Sequence, residues 1–248
     1  MSAVLLALTA GAVIGLALGA LGGGGSVLAV PALIYLLGFT PAAATTASLL
    51  IVTATSATAL FTHAVSGNVR WKTGALVAAA GILPAIAAAA LSARLPDAVL
   101  TAAFAAIAAL AAVRMLKPSD PDQQSLTIRP ARVAGAGAGL GAVTGFLGVG
   151  GGFLAVPALV SVLGLRMRAA VGTSLLIITV NSLAALTARA HAGTPLQWTV
   201  IAPFTAAAIL GAWDGKRLAV KVSGPTLQRI FAIVLLAVAA LMLIDAVH

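Results

Sequence analysis

Apolar residues run in long blocks along this chain, and polar residues gather between them. Residues 3–21, 41–66, 71–91 and 98–116 make one series of blocks, and 132–147, 168–192, 198–218 and 227–247 make another. At 1.5 Å of rise per residue, about 20 residues cross the roughly 30 Å hydrocarbon core of a bilayer, and most of these blocks suffice. Two do not. Residues 27–37 and 153–163 are apolar for only about 11 residues, a helix of about 16 Å. A glycine run precedes each, and Pro31 or Pro157 interrupts its early turns. The pattern predicts an all-α polytopic membrane protein in which two short helices are broken or re-entrant.

The two series are copies of one unit. A shift of about 126 positions lays Gly22, Gly24, Gly25, Leu28, Ala29, Val30, Pro31, Ala32 and Leu33 over Gly148, Gly150, Gly151, Leu154, Ala155, Val156, Pro157, Ala158 and Leu159. It also carries Gly11, Gly15 and Gly19 onto Gly137, Gly141 and Gly145, and Ser48 onto Ser174. A shared Gly/Pro pattern of this length is the mark of an internal repeat. We read repeat 1 as residues 1–116, a cytoplasmic linker as 117–130 and repeat 2 as 131–248, each repeat holding a broken helix and about three to four spanning helices. The linker is the one hydrophilic stretch, with three prolines, two Asp and two Gln. The first block lacks a basic leader, and its counterpart lies mid-chain, so we expect a retained helix rather than a secretory signal.

Composition agrees: 61% of the residues are hydrophobic and 8% charged, too little polar surface to cover a soluble domain. The net charge of +9 decides orientation. If each repeat crosses an odd number of times and the N-terminus is outside, Arg70, Lys72, Arg114, Lys117, Arg129, Arg132, Arg166, Arg168, Lys216, Arg217, Lys221 and Arg229 face the cytoplasm, leaving Arg94 and Arg189 outside. An even number divides them seven and seven. The positive-inside rule therefore selects inverted-topology repeats with both termini outside. The basic residues stand singly or in pairs without interleaved aromatics, which argues against nucleic acid.

Short, Gly/Pro-broken apolar segments at equivalent places in two inverted halves point to a transporter's midplane site. A helix that begins inside the membrane leaves about four N–H groups unpaired at its positive dipole end, and an anion suits them. On this reasoning Gly24, Gly25, Ser26, Gly150, Gly151 and Gly152 offer backbone donors, Thr45, Thr46, Ser48, Thr173 and Ser174 offer hydroxyls, and Asn181 is a further ligand contact. The competing reading is that the glycines permit a bend and the hydroxyls bond back to their own helices. No Glu is present, and all five Asp fall at block ends or in the linker, so no midplane carboxylate is available to relay protons or hold sodium. With no cysteine, no paired carboxylates and no His pair at ligand spacing, an enzyme is disfavoured and no cofactor or metal is expected. An anion leaving a negative interior gains about 2.3 kcal/mol per charge per 100 mV, so export needs no coupling ion.

Residues 145–159, Gly-Phe-Leu-Gly-Val-Gly-Gly-Gly-Phe-Leu-Ala-Val-Pro-Ala-Leu, followed by Ala-Val-Gly-Thr-Ser at 170–174, resemble the signature of the TauE/SafE sulfite exporter (TSUP) family. The likeness covers essentially the whole chain and is looser in repeat 1, where Thr46-Ala-Ser48 stands for Gly-Thr-Ser. The resemblance implies a multi-pass permease of the bacterial inner membrane that moves sulfite, sulfoacetate or a related organosulfur anion. A passive anion channel, or a carrier of another small organic anion, is the alternative. The expected partners are a small anionic substrate and membrane lipid, with a homodimer allowed.

Overall fold

The structure is a computed structural model and describes residues 2–21, 26–116, 130–147, 152–189, 196–221 and parts of 226–241. Among these residues it is helical throughout, with α1 (Ser2–Leu21), α2 (Ser26–Pro31) running on as a π-helical turn (Ala32–Leu36), α3 (Pro41–Val65), α4 (Trp71–Ser92) and α5 (Asp97–Leu116) in the first half. The second half supplies α6 (Pro130–Leu147), α7 (Gly152–Ser161), α8 (Met167–Arg189) and α9 (Trp198–Lys221). The linker expected at 117–130 lies outside the described residues except for Pro130, which opens α6.

Four described helices are long and apolar enough to cross a membrane: Ala3–Ala20, Pro41–Val65, Trp71–Ser92 and Met167–Arg189. The apolar parts of α5 and α6, Ala98–Leu110 and Ala131–Leu147, are shorter. Large apolar side chains stand outward, Leu83 at 77% exposure and Val65 at 76%, as a lipid-facing surface requires. Trp71 and Trp198, at the first positions of α4 and α9, are likewise exposed.

Both short helices stop the same way. Gly38 and Gly164 take the left-handed conformation, φ 70° and 65°, which a side chain disfavours. The amide of Gly38 donates to Ile34 O at 3.1 Å and that of Phe39 to Leu33 O at 2.9 Å, while Gly164 and Leu165 repeat both bonds on Val160 and Leu159. This paired closure satisfies the terminal carbonyls and turns the chain sharply. Thr40 then accepts from the Ala43 amide, and Pro41 occupies the first turn, where its missing N–H costs nothing.

The glycine rows decide how the halves meet. Any side chain at Gly11, Gly15 or Gly19 of α1 would strike the backbone of Phe204, Ala208 or Ala212 of α9. The row Gly137, Gly141 and Gly145 of α6 lies equally tight on Val77, Gly81 and Ala85 of α4. Both numbers rise together in each list, so each pair is parallel, backbone against backbone, as small residues allow in lipid. The first helix of each repeat thus packs on the third long block of the other repeat, and the two contacts are counterparts.

Directions follow from further contacts. Along α4 and α8, Arg70 meets Thr173, Gly81 meets Asn181 and Ser92 meets Arg189, a parallel register. Between α3 and α8, Ser56 meets Thr179 while Asn68, just beyond α3, meets Gly172, an antiparallel one. Leu18, Ala59 and Ala212, from the C-terminal halves of α1, α3 and α9, cluster with Leu175 from the N-terminal half of α8. Leu49, Ala85, Ala89 and Ala185 form the matching cluster at the other end. Hence α1, α3 and α9 run one way and α4, α6 and α8 the other, and the two bundles share the α3–α8 seam.

Candidate functional site

The seam is polar at mid-length. Ser56 of α3 and Thr179 of α8 share a hydrogen bond of 2.9 Å, and Thr179 also donates to Leu175 O. Thr55 donates to Ile51 O at 2.6 Å and Thr53 to Leu49 O at 2.6 Å. Beside these satisfied hydroxyls stand groups with no partner. Ser48 Oγ, Ser182 Oγ and both polar atoms of the Asn181 amide are buried and unbonded. A buried polar group left this way costs about 1–3 kcal/mol, so each calls for a functional account.

Asn181 has a floor made for it. A methyl group at Gly81 would lie 2.6 Å from Asn181 Nδ2 and 2.8 Å from Oδ1, so the amide rests flat on the α4 backbone. The repeat places Thr55 opposite Asn181, and with α9 offset by one residue from α4 it places Ala208 opposite Gly81, as their matching contacts with Gly15 and Gly141 show. One half therefore pairs a larger amide with glycine, and the other a smaller hydroxyl with alanine.

The other hydroxyls expected at the site divide by use. Thr45 donates to Pro41 O, Thr46 to Ala42 O and Ser174 to Val171 O, each within its own helix. Thr173 Oγ1 accepts the Arg70 amide at 3.0 Å and so caps the start of α4. Thr45 also edges a cleft between α2, α3, α5 and α6, lined further by Val30, Leu100, Phe104 and Phe146, with an interior of about 10 Å³ that fits a single water. Gly24, Gly25, Gly150 and Gly151 lie outside the described residues, while Ser26 and Gly152 are the first residues of α2 and α7. Of the expected contacts, the described structure leaves Ser48 and Asn181 with unbonded side chains.

Sequence reasoning passed over Ser56, Thr179 and Ser182, because a hydroxyl on an apolar helix carries no mark of whether it bonds inward or across. It also counted Arg189 on the outer side without any sign of its burial. Arg189 is in fact buried, 3% exposed, with Nη2 donating to Ser92 Oγ at 2.5 Å. Ser92 Oγ in turn reaches Ala89 O at 3.1 Å and Gly145 O at 3.4 Å. The guanidinium thus sits where the C-terminal ends of three parallel helices, α4, α6 and α8, come together and their negative dipole ends add. At the opposite end of that bundle, Arg70, Lys72, Arg132, Arg166 and Arg168 are exposed.

Among the described residues no group of His, Cys, Asp and Glu could hold a metal ion. What the centre offers is neutral: hydroxyls and one amide, with charge confined to the helix ends.

In sequence the chain is similar to known proteins. The family profile described as Sulfite exporter TauE/SafE matches residues 7–242. A "Probable membrane transporter protein" of Xylella fastidiosa (strain Temecula1) is 31% identical over 245 residues, covering 95% of this chain and 93% of its own. Its counterpart from strain 9a5c is 33% identical over the same span. No solved structure matches the chain.

Proposed function

The chain belongs to the sulfite exporter TauE/SafE family and is a multi-pass membrane transporter, and from that premise we propose that it exports a small sulfur-containing anion, sulfite or a related organosulfonate, by alternating access. The anion is held near the midplane by Ser48 of α3, by Asn181 of α8 and by the helix starts at Ser26 and Gly152 with their preceding glycines. The two halves sit in the bacterial inner membrane in opposite orientations with both termini outside.

The observation that carries this reading is the pairing of bundles. Three helices run one way, three the other, and the glycine rows fasten α1 to α9 and α6 to α4 with the same register. The α1–α9 and α6–α4 pairs lie backbone on backbone, whereas across the seam, among the described residues, the side chains of Ser56 and Thr179 share a bond at its polar centre. Rocking about such a seam exposes the same neutral donors first to one face and then to the other. Export needs no coupling carboxylate, since the membrane potential drives an anion outward.

Reconstitution tests it. Proteoliposomes loaded with unlabelled sulfite should accumulate labelled sulfite by counterflow and should saturate. Flux that rises linearly with concentration, with no counterflow, identifies a pore and removes the carrier mechanism. Counterflow of a carboxylate but of no sulfur oxyanion removes the substrate.

A further inference from the structure

We infer that the species bound at Asn181 is a singly charged, still protonated oxyanion, hydrogensulfite rather than the sulfite dianion. The inference rests on the reading of this centre as the sulfur-anion site and adds to it the charge state of the cargo.

Three observations lead there. The Asn181 side chain is fully buried with both its donor, Nδ2, and its acceptor, Oδ1, unbonded. A dianion such as sulfite has acceptors only and would leave Oδ1 facing a negative charge. A monoanion that keeps one O–H satisfies both atoms at once, accepting from Nδ2 and donating to Oδ1. Ser182, next to Asn181 in the chain and also buried and unbonded, likewise carries both a donor and an acceptor.

Charge points the same way. The cationic and titratable groups on the helices packed around Asn181 lie at helix ends: Arg168 and Arg189 on α8, Arg70 and Lys72 on α4, Arg132 on α6 and His63 on α3. His63 is 7 residues from Ser56, and Arg189 is 8 from Asn181, roughly 10–12 Å along their helices. A neutral centre at that remove has no counter-charge in contact with the ligand. The cost of desolvating an ion grows with the square of its charge, so a dianion there costs about four times what a monoanion does.

The geometry also shows why the first half does not duplicate the site. Thr55, opposite Asn181, already donates its hydroxyl hydrogen bond to Ile51 O, and Ala208 fills the place of Gly81. The amide on its glycine floor is a feature of one half.

The test is sulfite efflux from proteoliposomes holding the full chain, at fixed total sulfite well below saturation and at clamped voltage, across the second ionisation of sulfurous acid. We expect flux to follow the hydrogensulfite fraction, falling about ten-fold per pH unit above that ionisation. Sulfate, a dianion throughout, should compete poorly at every pH. Flux that is flat or rises with pH overturns the inference while leaving the exporter in place. No sulfur-anion flux at any pH overturns both. The His63→Gln variant separates protein from substrate titration: the same pH slope supports the inference, and its disappearance assigns the slope to the imidazole and sinks it. Asn181→Ala, which deletes the amide without touching the α4–α6 contact, should lower hydrogensulfite affinity several-fold; unchanged affinity in a folded variant counts against Asn181 as the contact.

Discussion

Ser56 and Thr179 are hydrogen-bonded at 2.9 Å across two helices that run in opposite directions, each near its helix's middle. The repeat gives this pair a counterpart in Thr53 and Ser182, and there the bond is absent: Thr53 donates to Leu49 O and Ser182 is unbonded. Of the two repeat-equivalent pairs along the seam, one is therefore bonded and the other is not. Side-chain bonds between membrane helices contribute about 0.6 kcal/mol on average. Replacing Ser56 with Ala or Thr179 with Val should each lower stability by about that much, and the double variant should lose little more than either single. Thermal unfolding in detergent measures it; additive losses would mean the two hydroxyls act independently.

The glycine rows make a sharper test, because α6 carries its own controls. Gly141 faces the Gly81 backbone so closely that any side chain must displace α4, yet Gly135 and Gly139 on the same helix meet nothing within 4 Å. Gly141→Val should cost about 1–3 kcal/mol or more through overpacking. Gly139→Ala should be neutral or stabilising by up to about 1 kcal/mol, since Ala is the better helix former. Gly15→Val in α1 should match Gly141→Val, because the same contact recurs on α9. Melting temperatures of the three variants decide it, and equal effects at 139 and 141 would contradict the interface.

Much of this was legible in the sequence, and the reason is geometric. A helix too short to cross, ended by glycine at a fixed place, writes itself into the chain as Gly38 or Gly164 and a preceding proline. The bounds of α2 and α7 came out within a few residues of those read from the apolar blocks. What the chain could not say is where each glycine row lands. Nothing local in Gly137, Gly141 and Gly145 names Val77, Gly81 and Ala85 as partners, because the match lies in another repeat and in complementary bareness rather than in a motif. The burial of Arg189 was illegible for a related reason. A lone arginine at a block end reads as a surface charge unless one knows that three helix C-termini converge on it.

That convergence predicts a stabilising role for Arg189. Three parallel helices put like dipole ends together, and a cation there offsets them by about 0.3–2 kcal/mol, with the Ser92 bond adding about 1.5–3 kcal/mol as a charged hydrogen bond. Arg189→Ala should lower the melting temperature clearly, and Arg189→Lys should recover part of the loss by keeping the charge without the fork. Ser92→Ala should cost less than Arg189→Ala and add little to it in the double variant. A melting temperature unchanged in Arg189→Ala would show that the cation offsets nothing.

Stability and transport should part company at Asn181. Leucine has the same branched outline as asparagine, so Asn181→Leu keeps the packing on Gly81 while removing two unbonded polar atoms whose burial costs about 1–3 kcal/mol. The variant should melt at or above the parent, even with some strain from its slightly larger methyls. It should also lose most transport, because the midplane has exchanged a donor and an acceptor for hydrocarbon. Ser48→Ala tests the same logic at a second unbonded group: stability held, flux reduced. A purely structural amide would behave in the opposite way, with Asn181→Leu moving stability and flux down together as the fold loosened. Reading both quantities on one preparation, melting temperature and sulfite counterflow, separates a group retained for the ligand from one retained for the fold.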